Sequence, residues 1–333
     1  MFITKQETNI LKGIGILSVI LSHTSIMCRE AAVTVPFFSN GTVCMAICEA
    51  GMSLFLFISG YGSHMSYKAR GLENYIKNRF INVLVPYMII QVISMAVAFF
   101  TTGLHGSLLF NLSQLVGINP TNLYDPTMWY ISYALFWYVV FWIAYRIGKG
   151  SYVSQIMIGV VSIAGFLYVP WYWGNNADYC VLTFFAGVLT ARLSDSFVKI
   201  PGFAREKVSR IILCVLLAVA GYTLMIRFHR FSIWTENVGA LMGMAAFILL
   251  IGLFRGRYGF HVLYFVGTIS FWLYLLEWKL IIRTGIYNIW GCNYLTYILC
   301  FVCTVVLSYA CARAYGIFQR RILSSLMSNS LSS

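Results

Sequence analysis

The chain has 333 residues, 60% hydrophobic and only 10% charged, with a net charge of +13. Soluble domains carry about 25% charged residues, so this composition excludes an ordinary soluble fold and predicts an all-α, polytopic membrane helix bundle. The basic residues gather on one side of the predicted topology rather than in a nucleic-acid-binding patch, so nucleic acid is not an expected partner.

Apolar runs able to cross lipid as helices of about 20 residues fall at 10–28, 43–66, 83–102, 128–145, 153–171, 179–192, 209–226, 238–254, 263–282 and 296–316. That makes about ten transmembrane helices. No hydrophilic stretch is long enough to fold separately, so 1–333 reads as a single membrane-embedded domain. The first run is too long for a signal-peptide core and is expected to stay as a helix. An even number of spans puts both termini on one face, which then receives eighteen of the 23 Lys and Arg. The opposite face keeps Arg29, Arg227, Arg230, Lys279 and Arg283. By the positive-inside rule both termini are cytoplasmic, in a cell (inner or plasma) membrane. The basic face suits anionic membrane lipid or a phosphorylated ligand.

The first helix carries Lys12 and His23. Eleven steps of about 100° return them to nearly one azimuth, roughly 16 Å apart along the axis. Ionisable groups at membrane depth mark a functional face by default. The alternative is a neutral His23 bonded to a neighbouring helix, with Lys12 snorkelling to headgroups. Ser59-Gly60 lies mid-membrane in the second helix, where glycine permits close helix approach. The connection 103–127 contains Leu104, Leu108, Leu109, Leu112, Leu115 and Val116 at helical spacing, predicting an amphipathic helix on the membrane surface or over a cavity. Residues 193–208 read as a solvated loop.

Trp129 and Tyr130 open the fourth span after Asp125-Pro126, where aromatics form a membrane belt or stack on a sugar. Glu277, in the ninth span, runs in the same direction as His23 and sits at comparable depth. It can orient the imidazole, or be protonated in lipid, or pair with Arg283. Of the nine cysteines, those near the outer face allow one disulfide, with no spacing to select a pair. His64, His105, His229 and His261 are scattered and read as interfacial, so no metal site is expected.

Five stretches follow one another along the chain: Lys12 with His23, Leu56-Phe57-Ile58-Ser59-Gly60, Lys77-Asn78-Arg79 to Asn82 and Pro86, Trp129-Tyr130-Ile131, and Ser270-Phe271 to Tyr274 and Glu277. This ordered set resembles the acyltransferase-3 family of bacterial integral membrane proteins, which O-acylate surface carbohydrates. Three positions depart from the family pattern. Lys12 stands where arginine is usual, keeping charge but losing the bidentate fork. Asn82 replaces the second arginine of the basic run, and Glu277 replaces a late histidine.

The resemblance implies transfer of an acyl group, chiefly acetyl, from acyl-coenzyme A to a hydroxyl of a cell-envelope polysaccharide or glycolipid such as a lipid-linked sugar. His23 would act as base with Glu277 in support. Lys12, Arg79 and Ser59 would lie on the donor side, and Trp129, Tyr130 and Asp125 on the acceptor side. The acyl-coenzyme A is a substrate, and no cofactor is held permanently. Two other readings fit the same composition: a transporter or flippase of lipid-linked sugars, against which the lack of internal repeats counts, and an inactive accessory membrane subunit.

Overall fold

The apolar runs become helices. A computed structural model describes residues 3–30, 40–104, 106–173, 177–197, 207–227, 233–253, 260–282 and 294–330, and among these there is no strand. The helices are α1 (Lys5–Glu30), α2 (Gly41–Arg70), α3 (Tyr75–Arg79), α4 (Val85–Thr101), α5 (Leu108–Leu115), α6 (Trp129–Gly148) and α7 (Tyr152–Tyr172). After them come α8 (Thr183–Phe197), α9 (Lys207–Arg227), α10 (Ile233–Leu253), α11 (His261–Thr268), α12 (Ser270–Glu277) and α13 (Tyr294–Ser330). Local chemistry sets their starts. At α1, Thr4 N–H donates to Glu7 Oε2 at 2.7 Å while Glu7 N–H donates to Thr4 Oγ1 at 3.2 Å, a reciprocal cap. Asn40 and Ser107 cap α2 and α5.

Eight helical stretches among the described residues are long and apolar enough to cross a membrane. Two expected spans take another form. The run at 179–192 opens with a tight turn at Asp178–Cys180, leaving α8 only 15 residues. The run at 263–282 is broken between α11 and α12. There the Thr268 and Ser270 hydroxyls donate to the carbonyls of Phe265 and Gly267, at 2.7 and 2.9 Å, and so compete with the helical ladder.

The helices cross where small residues let backbones touch. A Cβ on Gly267 of α11 would collide with the Asn9 carbonyl of α1, and one on Gly60 of α2 with the Phe184 carbonyl of α8. Helix α1 is therefore held between α2 and α11. Trp137, Phe141 and Tyr145 of α6 fill the interior beside Phe184, with Trp137 and Phe184 stacked at 5.2 Å.

Two segments depart from the α-helical pattern at informative places. A π turn, Phe80–Leu84, joins α3 to α4, and a second, Trp278–Ile282, follows α12. Pro86 explains the first. It has no N–H, and its ring would strike the carbonyl four residues back, so the helix loosens there. The Ile81 carbonyl, which a five-residue spacing would aim at Pro86, instead accepts from Tyr315 Oη of α13 at 2.5 Å.

The expected amphipathic helix in 103–127 is α5, with its apolar face turned outward and its polar face inward. Leu108 and Leu109 are exposed, whereas Asn111 and Gln114 are buried. Asn111 Oδ1 accepts from Tyr124 Oη at 2.6 Å, and the Gln114 carbonyl accepts from Tyr87 Oη at 2.5 Å. An outward apolar face on an inward polar one suits contact with lipid. Most of the 193–208 connection lies outside the described residues.

Candidate active site

Helices α1 and α12 meet because α11, tight against α1 through Gly13 and Gly267, delivers α12 beside the second half of α1. His23 Nδ1 lies 2.5 Å from Glu277 Oε1. The Glu277 side chain is fully buried and that of His23 is 13% exposed. Trp278 packs its ring against the imidazole, 82° from coplanar, with centroids 5.0 Å apart. Glu277 Oε2 has no hydrogen-bond partner among the described residues. An ionised carboxylate only accepts, so with Glu277 ionised Nδ1 carries the proton and Nε2 keeps a lone pair. Arg283, the other partner considered for Glu277, lies outside the described residues.

A strap at 122–128 fixes the pair from outside. Asp125 is fully buried and forms an ion pair with Lys279. Its Oδ1 also accepts from Thr127 N–H at 2.9 Å and Thr127 Oγ1 at 2.6 Å. Tyr274 Oη donates to the Thr127 carbonyl. Helix α12 and the turn after it are thus tied to the strap on both sides of Glu277, at 274 and 279. Asp125, expected to face an acceptor, is engaged in these ties.

A cavity of about 830 Å³ opens along α2. Its walls run from Arg70 to Met52 of α2, eighteen residues or about 27 Å of helix. At one end are Lys5, Thr8 and Lys12 of α1 with Arg70 and Arg79, and at the other are Phe55, Tyr130 and Tyr274. Arg79 donates from Nη2 to Ser63 Oγ at 3.1 Å, and its guanidinium lies 4.4 Å from the Tyr138 ring centroid. Tyr138 Oη donates to Ser59 Oγ at 3.1 Å. Cation–π contact and hydrogen bonding hold the Arg79 charge at the cavity wall without neutralising it.

The structure therefore brings Lys12, Arg79, Ser59 and Tyr130 to one cavity and His23 and Glu277 to a separate pair. Trp129 does not line the cavity and packs on Tyr130 and Tyr133. Lys77 is exposed and lies off the cavity, as a headgroup anchor would, whereas Arg70, also exposed, stands at the cavity rim. Sequence reasoning missed Tyr274, Tyr138 and Lys279. Tyr274 sits one turn before Glu277, a spacing that signals a shared face. Lys279 meets Asp125 across 154 positions, for which no local signal exists. His64, expected at the interface, is instead buried and bonded to Tyr145. The eight described cysteines are free, and Cys292 lies outside the described residues. No group of three metal-binding side chains occurs among the described residues.

A family model described as an acyltransferase domain matches residues 6–329, nearly the whole chain. No curated protein and no solved structure matches the chain. The chain belongs to the acyltransferase-3 family and is a multi-pass membrane protein of that family.

Proposed function

We propose that this membrane acyltransferase moves an acyl group, chiefly acetyl, from acyl-coenzyme A to a hydroxyl of a cell-envelope glycan or glycolipid. The observation that carries the reading is the part-buried His23–Glu277 contact of 2.5 Å, which supports His23 Nε2 as the base. A protonated hydroxyl is a weak nucleophile and needs a group near neutrality to take its proton. Glu277 holds the tautomer and stabilises the imidazolium that forms, as the third member of a triad does. The hydroxyl oxygen attacks the thioester carbonyl, the C–S bond breaks, and the thiolate leaves with the electron pair. The proton held at Nε2 is available to the departing sulfur.

The long cavity with a basic end supports donor binding. Lys12, Arg79, Lys5 and Arg70 would meet the coenzyme phosphates through charge-assisted contacts. The about 27 Å of wall suits a donor lying lengthwise, thioester towards Tyr274. With the basic excess cytoplasmic, donor enters from the cytosol and the acceptor, a glycan or lipid-linked sugar, meets it from the other side of the cell membrane. Ser59, bonded to Tyr138, shapes the donor wall, and Tyr130 with Trp129 behind it offers an aromatic face to a sugar.

Vesicles carrying the protein, given acetyl-labelled coenzyme A and isolated envelope glycans, test this. Label should pass to the glycan in a reaction that requires His23. Absence of any acceptor-dependent thioester consumption defeats the proposal.

A further inference from the structure

The donor cavity stops short of the proposed base. Gly51 of α2 packs against Ser18 of α1, so the cavity wall ends at Met52 about five residues, or roughly 7.5 Å, before the level of His23. On α12, Tyr274 lines the cavity and Glu277, one turn further on, does not. At this end stand three rings from three helices: Phe55 of α2, Tyr130 of α6 and Tyr274 of α12. Phe55 and Tyr130 meet at 6.4 Å and 60°, and Tyr130 and Tyr274 at 5.8 Å and 69°. Each is an edge-to-face contact, the favoured packing of aromatic rings. Tyr274 is further pinned by its hydroxyl on the Thr127 carbonyl.

We propose that Phe55, Tyr130 and Tyr274 form a partition that selects the acceptor hydroxyl against water, with Tyr130 as its central member. The inference rests on the donor reading above. Water and a sugar hydroxyl are nucleophiles of the same kind, and water is smaller and far more abundant. No pocket can reject it by size, so discrimination must come from excluding it until the acceptor arrives. If water reaches the thioester, its oxygen attacks the carbonyl carbon, the C–S bond breaks, and sulfur leaves with the electron pair. The proton lost by water goes to the thiolate, giving free coenzyme A thiol and a carboxylic acid. An edge-to-face ring set, tied on one side and contributed by three helices, closes the outer end of the cavity to that route. A large acceptor bound beside His23 can displace Tyr130, whose hydroxyl meets the Ser59 side chain, whereas that of Tyr274 is pinned on a backbone carbonyl.

The test is the acceptor-free release of coenzyme A thiol from acetyl-coenzyme A by the purified full chain, followed with a chromogenic disulfide. Tyr130→Leu and Phe55→Ala should each raise this leak about tenfold over wild type, equivalent to about 1.4 kcal/mol of barrier. Transfer to isolated envelope glycan should fall at the same time. Tyr130→Phe, which restores the ring, should bring the leak back down. If either leucine or alanine variant binds acetyl-coenzyme A as wild type does but releases thiol no faster, the partition is overturned while the proposed transfer stands. A wild-type chain that neither binds acetyl-coenzyme A nor consumes it with glycan present removes the donor reading and this inference with it.

Discussion

Two histidines, His64 buried and His23 partly so, occupy opposite ends of the bundle, and each places Nδ1 at 2.5 Å from an oxygen. Their partners differ. His23 meets the carboxylate of Glu277, an acceptor with no proton to give. His64 meets the phenol of Tyr145, whose oxygen also accepts from Gln155 Nε2 at 3.0 Å and whose own proton can go to the imidazole. The carboxylate dictates one tautomer and favours the cation, while the phenol satisfies a neutral ring and asks nothing more. Burial and a short contact are thus common to a packing histidine and a proposed base, and the partner's chemistry separates them.

The largest effect should come from breaking the contrast itself. His23→Ala is expected to lower acyl transfer by about 10² to 10⁴, and His23→Gln should not rescue it, since an amide cannot take the hydroxyl proton. Glu277→Gln should be milder than either, because the amide oxygen can still accept from Nδ1. Turnover of acetyl-labelled coenzyme A measures all three. Near wild-type turnover in His23→Gln would make the two histidines equivalent and send the search for a base to Glu277.

Lys279→Met tests whether the strap supports the His23 end. It leaves the Asp125 carboxylate buried without its cation, which should cost about 3 kcal/mol of stability, the low end of the range because Lys279 is partly exposed. Denaturant unfolding in detergent measures it, and an unchanged midpoint would show that the Thr127 bonds alone hold Asp125. Next are Lys12→Ala and Arg79→Ala, each expected to weaken donor binding by about 1.5 to 3 kcal/mol. Titration with acetyl-coenzyme A decides, and unchanged affinity in both variants returns them to lipid anchoring. The smallest effect belongs to His64→Ala, which should cost about 1 kcal/mol of stability, because the Tyr145 hydroxyl loses one partner and keeps Gln155. Its turnover per folded molecule should match wild type.

Much of the fold is legible in the sequence because lipid enforces long apolar runs, and eight of the ten expected spans coincide with helical stretches long and apolar enough to cross a membrane. The exceptions follow from groups smaller than a hydropathy window. Thr268 and Ser270 break one helix through their hydroxyls, and Pro86 loosens another. The common depth of His23 and Glu277 is readable from helix direction and residue count. Their contact is not, since it depends on Gly13 and Gly267 drawing α11 onto α1. Asp125 misleads as a sequence signal: beside Trp129 it looks like part of a sugar site, and only the fold reveals Lys279 opposite it. His64 misleads for a related reason, because its position near a helix end suggests exposure while Tyr145, 81 positions away, covers it.

The Tyr315–Ile81 hydrogen bond bears on biogenesis. Spans enter the membrane in the order of synthesis, and the Ile81 carbonyl meets its partner only after 234 further residues have emerged. An unsatisfied backbone group in hydrocarbon costs several kcal/mol. The Ile81 carbonyl, at the edge of the third span, therefore lacks this partner until the last helix arrives, as His23 lacks Glu277 until the ninth span does. A nascent chain halted before Glu277 would hold its early helices in the bilayer with both contacts still open.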